Sequence, residues 1–281
     1  MTNTPDPKGT RAGATRFAAF IARQEPSKGV LPAVHTTRAY SFDEMLGDDS
    51  LEPSDCPVFK EKLTYLFYGR PAYRAKDGNN ARLQFEWPII FIFDPTNIGL
   101  LLRVFPFDTG AFDIRLYKQF FDERSQLNDF SVEPSLDSIK KIVGAFYQDH
   151  DEYYSGNSHK NVEIPNRQFE AEGVLELSRL PGVQGERSFA APRDERSAAI
   201  EIQVNCPIRF EDALIAIVLP LPYLDDPDVK SALRRWGGPQ IIRTYTTLHN
   251  MGSEAWVGQI YRIVQEIYEE LGFLRRTDGS I

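Results

Sequence analysis

The chain has 281 residues, enough for one large domain or two small ones, and its 42% hydrophobic content suffices for a substantial core. Nineteen Phe and twelve Tyr argue against a disordered or low-complexity chain. The formal net charge of −8 argues against constitutive, sequence-blind binding to nucleic acid, which rests on Lys and Arg neutralising phosphates, but leaves room for a local basic groove.

Residues 1–29 are rich in Pro, Thr, Gly and Ala and are expected to form a flexible N-terminal arm. One amphipathic turn or two, around Phe17, Phe20 and Ile21, is the most order expected there. A single domain is expected over 30–275, with 276–281 as a tail. A short strand over 31–35 ends at His35. Ser41, with Glu44 three residues on, has the form of a capping box for a helix over 42–46. The aromatic run 63–68 predicts a strand that Gly69 and Pro71 break. Residues 85–93 and 100–105 predict two more, joined by a turn through Asp94, Pro95 and Asn97. Helical spacing follows over 112–121 and 136–147. In the second, Leu136, Ile139, Ile142, Val143 and Phe146 fall on one face. The polar stretches 149–161 and 181–197 predict loops, and long loops in a compact domain are usually functional or mobile. Strands over 199–204, 214–219 and 241–246 come next. A helix over 254–271 carries the stripe Val257, Ile260, Tyr261, Val264 and Ile267, and Gly272 stops it. Strands in clusters, with helices between the clusters, favour an α+β class.

Two cysteines, Cys56 and Cys206, make no disulfide framework, and neither begins a Cys-x-x-Cys pair. The default compartment is therefore reducing and cytoplasmic, without structural zinc. The longest apolar runs fall far short of the roughly twenty residues a spanning helix needs, so no membrane partner is expected. The N-terminus has no apolar core of the signal-peptide kind.

Three segments carry residue types suited to chemistry. The first is Val34, His35, Thr36 and Thr37 at a strand end. The second is the aromatic strand with Tyr65, Phe67 and Tyr68, running into Gly69, Arg70, Pro71, Tyr73 and Arg74. The third opens a late strand with Glu201, followed by Ile202, Gln203 and Val204. In this order they resemble the ADP-ribosyltransferase fold, and most closely the DarT group of nucleic-acid ADP-ribosyltransferases. His35 and Thr37 match that group's His-x-Thr start. Phe67, Tyr68, Arg70, Pro71 and Tyr73 match its aromatic-to-arginine stretch with a shortened spacing. Glu201 matches the glutamate that opens its late strand. The resemblance covers most of residues 30–220 and none of the C-terminal helix.

The resemblance implies a split, mostly antiparallel arrangement of sheets with flanking helices. It implies NAD as substrate, and a macromolecular acceptor that is nucleic acid or protein. It also implies a toxin or anti-phage defence role, with room for a regulatory protein partner. The chemistry needs a carboxylate beside the ribose as nicotinamide leaves, which Glu201 would supply. It needs an aromatic ring to stack on nicotinamide, from Tyr65 or Tyr68. It needs a guanidinium for the pyrophosphate, from Arg70 or Arg74, and a hydrogen bond to a ribose hydroxyl, from His35. Each residue also has an ordinary structural reading: a strand-end histidine, cross-strand tyrosines, a solvent-facing glutamate. On that reading the fold is a non-catalytic module for a ligand or partner.

Two other motifs compete. Asp108, Thr109, Gly110 and Ala111 spell the aspartic-protease signature, but a single copy would require a homodimer to supply two aspartates. The alternative is that Asp108 caps a helix beginning near Phe112, with Gly110 at the bend. Asp149, His150, Asp151 and His159 cluster without the spacing of helical metal ligands, and read as solvated loop residues. No metal is expected. The chain has no Gly-rich phosphate loop, so an NAD site here would not be of the Rossmann kind.

Overall fold

The computed structural model describes residues 14–72, 83–158, 161–179, 199–237, 241–247 and 253–276. Its centre is strand β5 (Pro88–Phe93), buried along its whole length, as a continuous apolar run requires when both faces are covered. β1 (Ala33–Arg38) and β9 (Leu214–Pro220) pair antiparallel on its two sides. β10 (Ile241–Tyr245) lies parallel to β9. Beyond β1 come β4 (Lys62–Tyr68), β7 (Glu201–Val204) and β6 (Arg103–Phe105), all antiparallel to their neighbours. Short β3 (Ser54–Asp55) pairs with the start of β4. β2 (Ser50–Leu51) and β8 (Ile208–Arg209) form a separate ribbon. The class is α+β, as the clustering of strands predicts, with a mostly antiparallel sheet and flanking helices.

Helices cover the sheet through aromatic contacts. α2 (Ala39–Asp48) brings Phe42, and α7 (Phe210–Ala213) brings Phe210. Trp236 follows the end of α8 (Pro227–Arg235). These three rings meet Phe91 of β5 at 6.0, 5.1 and 6.2 Å between centroids. α4 (Leu136–Phe146) starts at Ser135, whose hydroxyl accepts from Ser138 N–H, and buries Ile139, Ile142, Val143 and Phe146 as its periodicity predicts. α9 (Ser253–Leu271) packs on β9 and β10 and ends at Gly272, φ +78°, where Phe273 N–H returns to Tyr268 O at 2.8 Å.

Several expectations are corrected. The arm is shorter than predicted: α1 (Arg16–Ala22) is capped by Thr15 and buries Phe17, Phe20 and Ile21 against α4 and residues 127–130. Apolar residues at spacings of three and four make a docking face when a partner surface exists, and here it does. Residues 1–13 lie outside the described residues, as do 277–281 of the expected tail. α2 starts at Ala39 with Arg38 before it, so Ser41 is inside the helix and makes no cap. The helix expected over 112–121 is only α3 (Thr109–Asp113), followed by turns. The loop expected over 149–161 contains α5 (His150–Ser155), capped by Asp149. α6 (Phe169–Ser178) and α8 were not anticipated. The loop expected over 181–197 lies outside the described residues.

Phe17 has no exposed surface and packs on Phe130 and Phe146, with centroids at 6.0 and 6.3 Å. Phe17→Ala is therefore expected to lower unfolding free energy by about 3–5 kcal/mol, read from denaturant melts. An unchanged midpoint would return this segment to the status of an arm.

Candidate functional site

β1 pairs with β5 over all six of its residues, but with β4 only at Ala33–Tyr68 and Val34–Phe67. Past that point the two strands part, and the sheet opens into a split flanked by residues 35–38 and 62–66. His35 is the first residue beyond the last pair. Its Nδ1 stands 2.8 Å from the carbonyl oxygen of Tyr65. A carbonyl only accepts, so Nδ1 carries the proton and Nε2 is left as an acceptor. Nε2 has no hydrogen-bond partner among the described residues. Burial lowers the His35 pKa, and the bond to Tyr65 O only partly opposes this, so the ring is neutral near pH 7. Thr36 Oγ1 and Thr64 Oγ1, on the two strands flanking the split, are buried without partners among the described residues. Buried polar groups are normally paired, so this is unused bonding capacity.

Directly opposed residues of antiparallel strands share a face. One row holds Val34, Phe67, Glu201 and Phe105, and the next holds Tyr65, Gln203 and Arg103. Glu201 is thus two strands, about 10 Å, from Val34. His35, Thr37 and Tyr68 alternate to the other side of their strands. Glu201 is 1% exposed, contrary to a solvent-facing glutamate. Its Oε2 accepts from Thr109 N–H at 2.9 Å, and its Oε1 from Thr109 Oγ1 at 2.8 Å and Gln203 Nε2 at 2.6 Å. Arg103 continues the row, bonding Gln203 Oε1 at 3.3 Å and Glu61 at 2.5 Å, with its guanidinium 4.5 Å over the ring of Phe59. Tyr65 Oη and Cys56 Sγ are 2.6 Å apart, and burial raises the phenol pKa.

Asp108 caps α3 by accepting from Ala111 N–H at 2.6 Å, the helix-capping role anticipated for it. At 4% exposed it has no surface on which to meet a second copy of itself, which counts against a dimeric protease. Its charge instead acts on Glu201. Burial first, and Asp108 second, push the Glu201 carboxyl up to about 8, while the bonds from Thr109 and Gln203 pull the other way.

Tyr68 and Arg70 belong to a second cluster. Tyr68 Oη accepts from Leu31 N–H at 2.8 Å and bonds His150 Nε2 at 2.9 Å. His150 is buried, not solvated as predicted, and burial lowers its pKa to about 4. Tyr153 Oη donates to Tyr68 O at 2.8 Å and accepts from Ile200 N–H at 3.0 Å. Gly69 turns the chain at φ +64°, with a Cβ there falling 2.4 Å from Leu31 Cδ1. The chain then carries Arg70 inward, 3% exposed, with its guanidinium 5.7 Å over the Tyr153 ring and 5.9 Å over that of Tyr261. A guanidinium reaching out to a pyrophosphate is what the resemblance implies for Arg70, whereas the structure buries it against these rings. Thr37 is buried on β1 opposite Ile89. Tyr73 lies outside the described residues.

No family model, curated protein or solved structure matches this chain. Among the described residues, no three His, Cys, Asp or Glu side chains group to hold a metal, and no helix is long and apolar enough to cross a membrane. A broad surface groove of about 1840 Å³ runs between α1, residues 119–138 and α6, and none of the predicted site residues lines it.

Sequence reasoning did not find Thr109, Gln203 or Tyr153. Thr109 sat inside a motif weighed for a different chemistry, and Gln203 is visible only as the next same-face residue after Glu201.

Two outcomes follow from the geometry. Arg70→Ala removes a desolvated cation from two aromatic faces and leaves a cavity, so unfolding free energy should fall by about 2 kcal/mol or more in melts. Glu201 holds its proton to higher pH folded than unfolded. Its contribution to stability is thus full below about 4.5 and is lost as pH rises through about 8. Each pH unit crossed in that window costs at most about 1.4 kcal/mol. Glu201→Gln should flatten this fall, so the variant gains on wild type from about pH 5 to 8. Parallel stability–pH curves would exclude a raised Glu201 pKa.

Proposed function

We propose that the protein is an NAD-dependent ADP-ribosyltransferase whose site is the split between β1 and β4, with Glu201 as its catalytic carboxyl. The observation that carries this reading is a carboxyl held in fixed aim by three donors, in the strand next to a split whose flanks keep open polar groups. The hydroxyl of Thr36, which shares a side of the sheet with Val34 and Glu201, is suited to a ribose hydroxyl, and Tyr65 offers a ring on that side, while His35 and Thr64 face the other side of their strands. Tyr68 and Arg70 shape the floor of the region by packing and are not needed to touch substrate.

In this reaction the ribose C–N bond breaks and its electron pair goes to the nicotinamide ring, which leaves neutral. The ribosyl carbon gains positive charge that the Glu201 carboxylate stabilises. The acceptor, a nucleic-acid base or a protein side chain, bonds to that carbon, and its proton passes to Glu201. In the free protein Glu201 is held largely protonated by its surroundings. The nicotinamide ring of NAD is itself cationic, and a positive charge beside a carboxyl favours the ionised form. Substrate binding then prepares its own catalyst.

The test is to incubate pure protein with NAD, with and without DNA, RNA or protein acceptors, and measure nicotinamide release and label transfer. Glu201→Gln should lose about 100-fold or more of the rate while folding normally. Calorimetric titration of NAD in buffers of different ionisation enthalpy should show proton release on binding. A folded Glu201→Gln protein with full activity would defeat the reading. So would wild type that neither binds NAD nor releases nicotinamide. The competing reading is a ligand-sensing module, favoured by the 1% exposure of Glu201, and it expects NAD or a relative to bind without turnover.

A further inference from the structure

The turn Phe107–Ala111 was singled out in the sequence for chemistry of its own, and it lies against Glu201. Thr109 has no exposed surface and reaches both oxygens of the carboxyl: its N–H to Oε2 and its hydroxyl to Oε1. A carboxylate oxygen has two lone pairs in the plane of the group. On Oε1 both are used, one by Thr109 Oγ1 and one by Gln203 Nε2. On Oε2 one is used, by Thr109 N–H, and one is open among the described residues. Gln203 is itself fixed, since Arg103 holds its Oε1, and so donates its amide N–H to Glu201.

We infer that Thr109 is a positioning residue for Glu201: it fills the carboxyl so that Oε2 alone carries the proton and alone meets the reacting group. The assignment of a reacting group rests on the transferase reading above; the assignment of the proton to Oε2 does not. Thr109 also sets the pH at which Glu201 ionises, because two of the three bonds that favour the charged form come from it. Among the described residues, the other charged and titratable groups around Glu201 are Asp108 at the start of α3 and Tyr65 on β4, with Arg103 on β6 reaching it through Gln203 and paired to Glu61. Asp108 disfavours the charge on Glu201. The Arg103 charge is largely answered by Glu61, which leaves Thr109 and Gln203 as the groups that offset Asp108.

The experiment uses Thr109→Val, which keeps the backbone N–H and the branched shape but removes the hydroxyl, and Thr109→Ser, which restores it. Infrared difference spectra over a pH titration, with Glu201→Gln to assign the band, follow the protonated carboxyl directly and need no activity. Thr109→Val should move its ionisation upward by about one pH unit, the scale of one lost hydrogen bond to a charge. Thr109→Ser should bring it back to within a few tenths of wild type. If wild type turns over NAD, the rising limb of its rate against pH should shift by the same amount, with kcat falling at neutral pH and KM for NAD little changed. Thr109→Val that lowers only melting temperature, with neither titration nor pH profile moved, overturns the inference while the transferase reading stands. A shifted titration in a protein with no NAD turnover upholds the clamp and removes the transferase reading.

Discussion

A carboxyl group that is 1% exposed can be tolerated only if donors replace the water it gives up. At Glu201 the donors come from two directions: Gln203 from the same strand, and Thr109 from the turn after β6. That requirement ties together parts of the chain nearly a hundred residues apart. It fixes the register of β6 on β7, since Phe105 must face Glu201 for the following turn to fall over the carboxyl. It also explains why Asp108 caps a helix of only five residues, for the cap holds Thr109 at the start of α3 with its N–H free to leave the helix.

The sheet gives that carboxyl its surroundings. β1 spends its whole length on β5 and only two residues on β4, so one side of the sheet is continuous and the other is opened at a single seam. His35 spans the first gap with a side-chain bond to Tyr65 O, which replaces the ladder bond that parting strands lose. On the far side of the seam, polar residues follow one another across three strands from Tyr65 through Gln203 to Arg103. A polar row inside a sheet is costly unless every member is answered, and the bonds along this row answer Gln203 and Arg103.

Much of this fold could be read from the sequence where a segment is autonomous. β4, β5 and β9 carry apolar runs, and α4 and α9 a helical periodicity, that burial then obeys. The failures lie where tertiary contact decides. Phe17, Phe20 and Ile21 looked like a frayed turn because nothing in the sequence announces Phe130 and Phe146 as their neighbours. His150 looked solvated because it stands among Asp149, Asp151 and Glu152, yet its ring turns inward to Tyr68 while those carboxyl groups stay nearer the surface. Arg70, between a glycine and a proline, has the local character of a turn, and only the rings of Tyr153 and Tyr261 reveal why it is inside. At the candidate site, Glu201 and Tyr65 could be named from the sequence and share one side of the sheet. Thr109 could not be joined to them, because a contact between residues 109 and 201 leaves no mark on either segment alone.

The hydroxyl of Tyr153 lies between Tyr68 O and Ile200 N–H, where the next rung of the β4–β7 ladder would run. A side chain from helix α5 thus completes a hydrogen-bond pattern that belongs to the sheet. At this end of the ladder Tyr68 N–H also bonds Ile200 O directly at 2.9 Å, so the helix supplies one of the two links that hold the pair. Anything that tilts α5 by the length of one hydrogen bond removes the bridged link and leaves the direct one to hold the backbone immediately before the carboxyl. The amide of Ile200 is therefore a gauge of helix docking, although it sits at the end of a strand.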